Sequence, residues 1–467
     1  MNKGKSVWIL TFSGILLILS FIVLGTALVE ECYRLNSNYS MQKVLVSVKN
    51  QIDSQGKNSF TIDDIDRLKK ELSTEDVSYT AESGLINTTV SNSNTALPAR
   101  LIGADHTYPN FSSLMLINGS FITQKQEEEG AMVAVIDEEL AWDLFKTVYA
   151  TGKTLDIYGK TFQVTGVLKK ESSIIGKLTD DGLPKVYLSA GVMLDMDNTA
   201  GITEMQIRTA DDNTLDQNKS NVSAALRQIG KDPSNYNIVD YNLKYALMKQ
   251  GPLLVAFILG IASMLILLQH VKKLIIKAYS LIMKGCKTDY LSNVIKENKA
   301  ELVGYLLEMM VVFIGIVLIW KGISFKSYIP PRYIPDELID ISYYRNIIKG
   351  LIQGGIRDMG YIPTQSELYV NATNMLLNLL FFFAVILGYL LLYAGFREIR
   401  ALIIDSNKLT IIIGVGFVFS LAVLVFTSYM MQLPLMLDIK GILVTWAFIF
   451  LNILEINNGK DSEMKNV

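Results

Sequence analysis

The sequence is poor in the residues that build metal sites and disulfide frameworks. Its 467 residues include two cysteines, Cys32 and Cys286, and two histidines, His106 and His270. Two cysteines cannot supply the disulfide framework of a small secreted domain, and these two fall on opposite faces in the topology predicted below. The histidines lie in different predicted elements, so the sequence predicts no zinc site.

An excess of charge of one sign is also missing. The chain carries 43 basic and 45 acidic residues, a net charge of −2, which gives no reason to expect a nucleic-acid partner.

Residues for nucleotide binding or covalent catalysis are not recognisable either. The tripeptides 152–154 and 159–161 read Gly-Lys-Thr, but the leading glycine of a phosphate loop would fall at Thr147 and Thr154. The acidic turn 179–182 lacks the alternating ligands of a calcium loop. We predict no catalytic residues, no metal and no cofactor on this chain.

Long apolar segments are what the sequence does contain. The first, Val7–Val29, exceeds the about 20 residues that a helix needs to cross a bilayer. A long polar region follows it, and then come five further apolar segments, Pro252–Val271, Leu302–Trp320, Met375–Tyr393, Leu409–Thr427 and the shorter Gly441–Leu454. Half of all residues are hydrophobic and the mean hydropathy is +0.31, which is typical of a membrane part joined to a water-soluble part.

The first apolar segment is predicted to be an uncleaved anchor. It is longer than the apolar region of a usual signal peptide, and the sequence Val29-Glu30-Glu31 follows where a cleavage site needs small residues. Glu31 also argues against lipid attachment at Cys32.

Basic residues beside the apolar segments predict the orientation, because such residues favour the cytoplasmic side. They lie before the first segment, between the second and third, and between the fourth and fifth: Lys3, Lys5, seven lysines within 272–299, Arg397, Arg400 and Lys408. Both termini are therefore expected in the cytoplasm of a multi-pass protein of the cell (plasma) membrane. The predicted parts are an anchor 1–30, an extracytoplasmic domain 31–250, two spans 251–320, an extracytoplasmic loop 321–372, and three spans with a tail 373–467.

The extracytoplasmic domain is predicted to be α+β. Val44, Val46 and Val48 alternate with other residues, as in a strand, and Thr61 with Asp64 has the spacing of a helix N-cap. Further strands are expected at Met132–Ile136, Lys185–Leu188 and Thr203–Arg208, with a hairpin turning at Gly159-Lys160. Asp137 is expected to cap one helix, and Gly230 to end another.

Five segments in this order resemble the periplasmic core domain of MacB-type, FtsX-like ABC transporter permeases: Leu101–Gly103, Asn118–Phe121, Val133–Ile136, Leu144-Phe145 and Ile157–Val167. The resemblance implies a porter-like lobe over 41–95 and 200–240 and an inserted β-rich lobe over 96–199. The expected fold is an α-helical membrane bundle of about six transmembrane helices plus an extracytoplasmic α+β domain of MacB core type. Such permeases commonly have four membrane helices, so this chain departs from the family there.

The resemblance also implies where a separate ATPase subunit would dock. The family places a coupling segment in the cytoplasmic loop that corresponds to 272–300, and its matching residues here are Tyr279, Ile282, Met283, Lys284, Gly285, Cys286 and Lys287. Arg397, Glu398 and Arg400 form a second candidate coupling segment. The alternative for 272–300 is an ordinary positive-inside loop whose lysines meet anionic lipid.

Polar residues within the apolar segments allow two interpretations. Glu308, Asn374 and Asn378 are either hydrogen-bonding partners inside the bundle or parts of a transport path. In the loop 321–372, an apolar stripe over 344–352 predicts a helix that lies on the membrane surface or packs under the exported domain.

The leading hypothesis is therefore an ABC transporter permease subunit that carries no ATPase domain. ATP and Mg²⁺ would bind a partner ATPase, and the chain would form a homodimer or a heterodimer with a related permease. Movement would pass through the stalks Leu28–Leu35 and Tyr241–Gln250, and the cargo would be a peptide, an antibiotic or a lipid-linked molecule. The alternative function is a membrane-anchored extracellular sensor or scaffold without ATP coupling. An ion-driven carrier is disfavoured, because the large exported insertion breaks any symmetric repeat.

Overall fold

The protein is described by a computed structural model. The structure describes residues 3–37, 41–49, 58–74, 76–82, 88–92, 95–209, 217–287, 290–330, 334, 341–343, 345, 349, 363–401 and 405–464. The apolar stripe predicted over 344–352 lies outside the described residues, apart from 345 and 349, which are not apolar. Its two interpretations stay open.

The chain divides into two compact units. The extracytoplasmic unit comprises Glu31–Met248 and Tyr328–Asn374, and the membrane unit comprises Met1–Glu30, Lys249–Ser327 and Met375–Val467. The predicted part and lobe boundaries remain predictions.

Eleven strands build the extracytoplasmic unit among the described residues: β1 Lys43–Val48, β2 Val77–Glu82, β3 Thr88–Ser91, β4 Ala96–Ala104, β5 Leu116–Gly119, β6 Val133–Asp137, β7 Thr154–Ile157, β8 Lys160–Leu168, β9 Lys185–Ser189, β10 Gly201–Arg208 and β11 Tyr236–Asp240. Its short helices are α2 Ile62–Leu72, α3 Tyr108–Phe111, α4 Gln124–Glu128, α5 Glu138–Phe145, α6 Ile174–Leu178, α7 Ala190–Met196 and α8 Gln217–Gln228.

The strands form one sheet that is open at one end and closed on itself at the other. The open part has the order β11-β1-β10-β2-β4. Strand β4 then continues through β3, β7, β8, β6 and β9, and β9 pairs back in parallel with β4. Strands β4, β3, β7, β8, β6 and β9 therefore make a closed ring, which leaves those six strands without a free edge, and β5 pairs with β8 outside the ring.

Each part has its own apolar core. In the open part, α2 and α8 cover one face of the sheet, where Ile65, Leu68 and Leu226 meet the three alternating valines of β1. In the closed part, fully buried side chains such as Phe162 and Ile136 fill the ring, and α5 adds Leu140. Alternation along each strand thus supplies one apolar face per strand.

The caps predicted from the sequence are confirmed at their positions, and the predicted hairpin turns one residue earlier, at Tyr158-Gly159. Thr61 caps α2, and its hydroxyl accepts from the N–H of Asp64, whose carboxylate accepts from the N–H of Thr61 at 2.9 Å. The Asp137 carboxylate accepts from the N–H of Leu140 at 2.8 Å and so caps α5. Strands β7 and β8 form the predicted antiparallel hairpin, with Gly159 at φ +76° in its turn. These caps satisfy N–H groups that a helix leaves unpaired at its start.

Six helices of the described chain are long and apolar enough to cross a membrane. They include α1 Lys3–Asn36, α9 Tyr241–Gly285, α11 Lys299–Ile323, a fourth that comprises α12 Gln365–Phe382 and α13 Tyr389–Arg400, then α14 Ser406–Met430 and α15 Ile439–Met464. A short helix, α10 Leu291–Glu297, precedes α11, and a π-helical segment, Phe383–Gly388, joins α12 to α13.

Two of these helices extend further than the apolar segments suggested. The predicted cytoplasmic loop 272–300 is helical as far as Gly285, because α9 continues for 45 residues. No glycine or proline follows Gly260 until Gly285, and the leucines, isoleucines and lysines between them favour helix. The fourth apolar helix begins at Gln365, within the segment expected to be loop.

Gly119 and Gly159 provide a test of the close contact between β5 and β8. Both have left-handed backbones, φ +78° and +76°, but a Cβ at Gly119 would lie 2.0 Å from the carbonyl oxygen of Thr165, whereas no described atom lies within 4 Å at Gly159. We expect Gly159→Ala to cost roughly 1–2 kcal/mol from the backbone conformation alone. Gly119→Ala should cost about 1–3 kcal/mol more, since β5 must move from β8. Denaturant unfolding measures the loss of stability in each variant, and amide exchange in β8 shows whether that strand is affected. Equal losses of stability in Gly119→Ala and Gly159→Ala would contradict the close packing of β5 on β8.

Candidate functional site

The first candidate site is the C-terminal end of α9 with the residues that follow it, 279–287, which we call the coupling segment after the role predicted for it. Tyr279 and Met283 are 64% and 47% exposed, although both are large apolar side chains. Lys284, Cys286 and Lys287 are also exposed, and Ile282 is half-buried. Exposed apolar residues next to lysines on one helix end are typical of a protein-binding surface.

Gly285 allows the chain to turn back tightly after α9. A Cβ at this position would lie 2.4 Å from Cγ1 of Val294, a residue of α10 that is only 2% exposed. The helix end and α10 are therefore in direct contact, and a larger residue at 285 would separate them. This contact gives the coupling segment a defined shape, with α10 leading directly into α11.

The second candidate coupling segment is the end of α13. Arg397, Glu398 and Arg400 are exposed, whereas Phe396 and Ile399 are buried, so the helix presents one charged and one apolar face. Arg397 and Glu398 form a 3.4 Å ion pair on the exposed face. Basic side chains in the last turn also favour a helix C-terminus. A role for this segment in coupling stays a prediction.

The intramembrane carboxyl Glu308 has a partner. Its Oε1 lies 2.7 Å from Nε2 of His270, which joins α11 to α9. One turn further along α9, Lys273 lies 3.5 Å from Glu455 of α15. His270, Lys273 and Glu455 line part of an apolar cavity of about 470 Å³ between these three helices. The polar groups thus link helices of the bundle.

The two predicted asparagines of the fourth apolar helix behave differently from Glu308. Asn374 is half-buried and Asn378 is exposed on α12. Whether any of the three residues acts in transport stays a prediction.

A second part of the candidate site lies at the base of the extracytoplasmic unit, around Lys43. This lysine is 1% exposed. Its ammonium group donates to the carbonyl oxygens of Asn36 and Phe111 and to Oε1 of Gln206, the last two at 2.6 and 2.7 Å. It also lies 5.1 Å from the ring centroid of Tyr241, the first residue of α9. One side chain therefore joins the end of α1, strand β10 and the start of α9.

The Lys43 cluster continues to a buried carboxyl. Nε2 of Gln206 donates to Oε1 of Glu204 at 2.9 Å. Burial, reinforced by the carboxyls of Glu82 and Glu367, raises the pKa of Glu204 to about 8. Burial lowers the pKa of Lys43 to about 7, against the attraction of Glu204. Low dielectric surroundings thus disfavour the charged form of both groups.

The end of α1 has a further attachment. Arg34 bonds to Glu31 in the same helix at 2.8 Å and to Glu171 of the outer domain at 2.6 Å. At the start of α9, the Asp240 carboxylate accepts from the N–H of Leu243 at 3.0 Å and caps the helix. Both stalks predicted from the sequence therefore begin or end in defined polar contacts.

Sequence reasoning did not identify Lys43, Glu204 or Gln206. Glu204 and Gln206 occupy alternate positions of a strand that the sequence does predict, and this pattern indicates a polar face. Only the pairing of β10 with β1 and β2, and the packing of α1 and α9, bury that face. No spacing rule relates Lys43 to Gln206, because 163 residues separate them.

Clustered metal-ligand side chains were not expected from the sequence. In the part of the chain that the structure describes, no group of three or more His, Cys, Asp or Glu residues could hold a metal ion. His106 instead lies 2.8 Å from Glu127, and His270 contacts Glu308. Both histidines therefore serve as contacts between elements.

Comparisons with known proteins identify the class. Residues 8–225 match the family model of the MacB-like periplasmic core domain. The pyoverdine export ATP-binding/permease protein PvdT of Pseudomonas syringae pv. syringae (strain B728a) is 26% identical over 140 residues, which are 30% of this chain and 21% of PvdT. The chain thus matches about a fifth of the length of that relative.

Two solved structures are also similar. The periplasmic region of MacB from Actinobacillus actinomycetemcomitans has a TM-score of 0.37 at 18% identity and covers 46% of this chain and 94% of its own. The extracellular domain of the noncanonic ABC-type transporter YknZ from Gram-positive bacteria has a TM-score of 0.33 at 18% identity and covers 42% and 99%.

The molecule is thus a membrane protein whose extracytoplasmic domain is of the MacB core type, preceded by one apolar helix. Residues 8–225 thus carry a MacB-like periplasmic core domain, as the order of the chain's sequence segments predicted, and the matches support a MacB-like ABC permease.

The raised pKa of Glu204 gives a pH-dependent stability. Between about pH 4.5 and 7 the folded state retains the Glu204 proton that the unfolded state releases, so the free energy of unfolding falls as pH rises; above pH 7 the lowered pKa of Lys43 opposes this fall. Glu204→Gln should remove this fall, which approaches roughly 1.4 kcal/mol per pH unit. Denaturant unfolding at pH 5, 6, 7 and 8 measures the difference, with Glu71→Gln, at an exposed position of α2, as the control. Parallel wild-type and Glu204→Gln profiles would refute the assignment.

Proposed function

We propose that the chain is the permease subunit of an ABC transporter that transmits ATP-driven motion from a separate cytoplasmic ATPase to the extracytoplasmic domain. ATP and Mg²⁺ bind the partner and not this chain. Both termini are cytoplasmic, and the subunit functions as a homodimer or as a heterodimer with a related permease.

One observation carries this proposal: α9 is a single helix from Tyr241, beside Lys43, to Gly285, beside Val294. Its 45 residues correspond to about 68 Å at 1.5 Å per residue, whereas the hydrocarbon core of a bilayer is about 30 Å thick. The helix therefore has length to spare for both a stalk and a cytoplasmic extension. Pro252 removes one backbone hydrogen bond inside this helix, but the chain remains helical on both sides of it, so displacement at one end can reach the other.

Export is the direction that the extracytoplasmic domain favours. The matched relative PvdT is named as an export protein that combines ATP-binding and permease parts. PvdT carries an ATP-binding part and a permease part, so this chain, as a permease subunit, needs a partner ATPase that docks at 272–300. Movement of the outer domains then expels or extracts a cargo outside the bilayer, without a continuous pore. The cargo class is a peptide, an antibiotic or a lipid-linked molecule.

The coupling segment provides the test. Co-expression with ATP-binding-cassette proteins of the same cells should recover an ATPase that copurifies with the permease. Tyr279→Glu together with Met283→Glu should reduce the copurified ATPase at least tenfold, because charges on the exposed apolar face oppose its burial. The change leaves the Gly285–Val294 contact intact, so permease yield should stay at the wild-type level.

The control is Tyr149→Glu, which places one such charge on a comparably exposed tyrosine of the extracytoplasmic unit. This control should retain the ATPase. If wild-type permease recruits no ATP-binding-cassette protein at all, the sensor or scaffold alternative replaces the transporter function. If the coupling-segment and control variants both retain the ATPase, docking occurs elsewhere.

A further inference from the structure

The fourth apolar helix begins inside the extracytoplasmic unit, ten residues before its apolar segment. Thr364 and Glu367 form a capping box at its start. The N–H of Thr364 donates to Oε2 of Glu367 at 3.0 Å, and the N–H of Glu367 donates to the Thr364 hydroxyl at 3.4 Å. Both residues are 6% exposed. A capped and buried helix start is a built contact and not a frayed loop end.

Two side chains attach this start to strands at distant places in the sheet. Oε1 of Gln365 accepts from Nζ of Lys185, the first residue of β9, at 3.0 Å. Oε1 of Glu367 accepts from Nδ2 of Asn237 in β11. Strand β9 belongs to the closed ring, whereas β11 is the edge of the open part. Helix α12 therefore holds both parts of the extracytoplasmic domain at once.

This attachment is separate from that of α9. A cavity of about 370 Å³ lies between the two helix starts, and its polar lining comprises Lys49, Asn237, Lys244, Glu367 and Asn371. The ammonium group of Lys43 faces Tyr241 of α9, whereas Glu367 and Gln365 bond α12 to Asn237 and Lys185 of the sheet. The two helix starts therefore have different polar contacts with the sheet.

Helix α12 instead pairs with α1. Within the extracytoplasmic unit, the side chains of Cys32 and Thr373 interact, and Thr373, whose hydroxyl donates to the carbonyl oxygen of Tyr369 at 2.8 Å, is fully buried. Within the membrane unit, a Cβ at Gly25 of α1 would lie 3.5 Å from Leu377 of α12 and 3.3 Å from Pro252 of α9. The two helices are thus in contact in each unit.

The pairing continues along α13. A Cβ at Gly395 would lie 3.0 Å from the backbone of Thr11, and a Cβ at Gly14 would lie 2.6 Å from the backbone nitrogen of Leu392. Such short backbone approaches require glycine on both helices. The π-helical segment Phe383–Gly388 lies between the α12 and α13 contacts, and π-helical segments are frequent at functional positions.

We propose that α12 and α13 form a third stalk, which moves together with α1 and carries displacement from Arg397–Arg400 to the sheet. Gln365 and Glu367 are its positioning residues: they transfer the displacement to β9 and β11. This inference rests on the proposed transporter function and deepens it. The coupling segment then drives α9, and the second candidate segment drives α1, α12 and α13 together.

The test displaces the far end of the stalk in the full-length protein without any ATPase. Gly395→Leu inserts a side chain against Thr11, so α13 must shift away from α1. The readout is at the other end: Thr373→Cys, made with Cys286→Ser, allows a disulfide between position 373 and Cys32 under mild oxidant. We expect Gly395→Leu to change the rate of this disulfide at least threefold, and amide exchange in β9 and β11 to rise at least threefold.

Gly304→Leu is the matched control, because Gly304 lies on α11 with no described atom within 4 Å of its Cβ position. It should leave both readouts at the wild-type level. Gly395→Ala provides a smaller insertion if Gly395→Leu does not fold, and a smaller change in the same direction is expected. In a Gln365→Ala/Glu367→Ala background, the exchange in β9 and β11 should no longer respond to Gly395→Leu.

Several outcomes would overturn the third stalk. Failure of the Thr373→Cys variant to form a disulfide with Cys32 would contradict the contact between α1 and α12. Identical disulfide and exchange rates for the variants at 395 and 304 would show that α13 transmits no displacement. Neither result depends on ATP. A missing ATPase partner would instead contradict the proposed function while leaving this mechanical result as it stands.

Discussion

The buried ammonium group of Lys43 is the contact on which the extracytoplasmic end of the molecule depends. An unpaired charge in this position would be very unfavourable, so the group is held by three oxygen acceptors and an aromatic face. One acceptor is the carbonyl of Asn36, the last residue of α1, which a helix C-terminus leaves without an internal partner. The lysine thereby ends α1 at a defined position against the sheet.

The same contact explains the unusual polar face of the open sheet. Helices α2 and α8 cover the apolar face, so the opposite face could have been solvated, as in many antiparallel sheets. Here it carries Glu204 and Gln206 and is buried, and its polar groups are connected into one network. A connected network tolerates burial far better than isolated groups do, because each donor meets an acceptor.

Three helices are attached to the sheet by different contacts, and the proposed mechanism depends on this difference. Helix α1 ends at Lys43, α9 starts beside Lys43 at Tyr241, and α12 starts at a capping box held by Asn237 and Lys185. Helices α1 and α12 share close contacts in each unit, whereas a polar cavity separates the start of α12 from that of α9. Helix α1 contacts both of the other helices, since a Cβ at Gly25 would touch Pro252 of α9 as well as Leu377 of α12, so α1 lies between the two proposed inputs to the sheet.

The sequence by itself determined the features that depend on neighbours in the chain. Six apolar helices, the caps at Thr61 and Asp137 and the hairpin at Gly159 arise from spacings of a few residues, so local patterns predict them. The family of the outer domain also followed from the order of short segments.

Only the tertiary structure decided which polar residues are buried and which helices pair. Lys43 reads as an ordinary strand lysine until β10, α1 and α9 enclose it, and Gln365 meets Lys185 across 180 residues. The early start of α12 escaped prediction because its first ten residues are largely polar and its stability comes from contacts with the sheet. Contacts between residues far apart in the chain have no periodicity, so the folded arrangement alone reveals them.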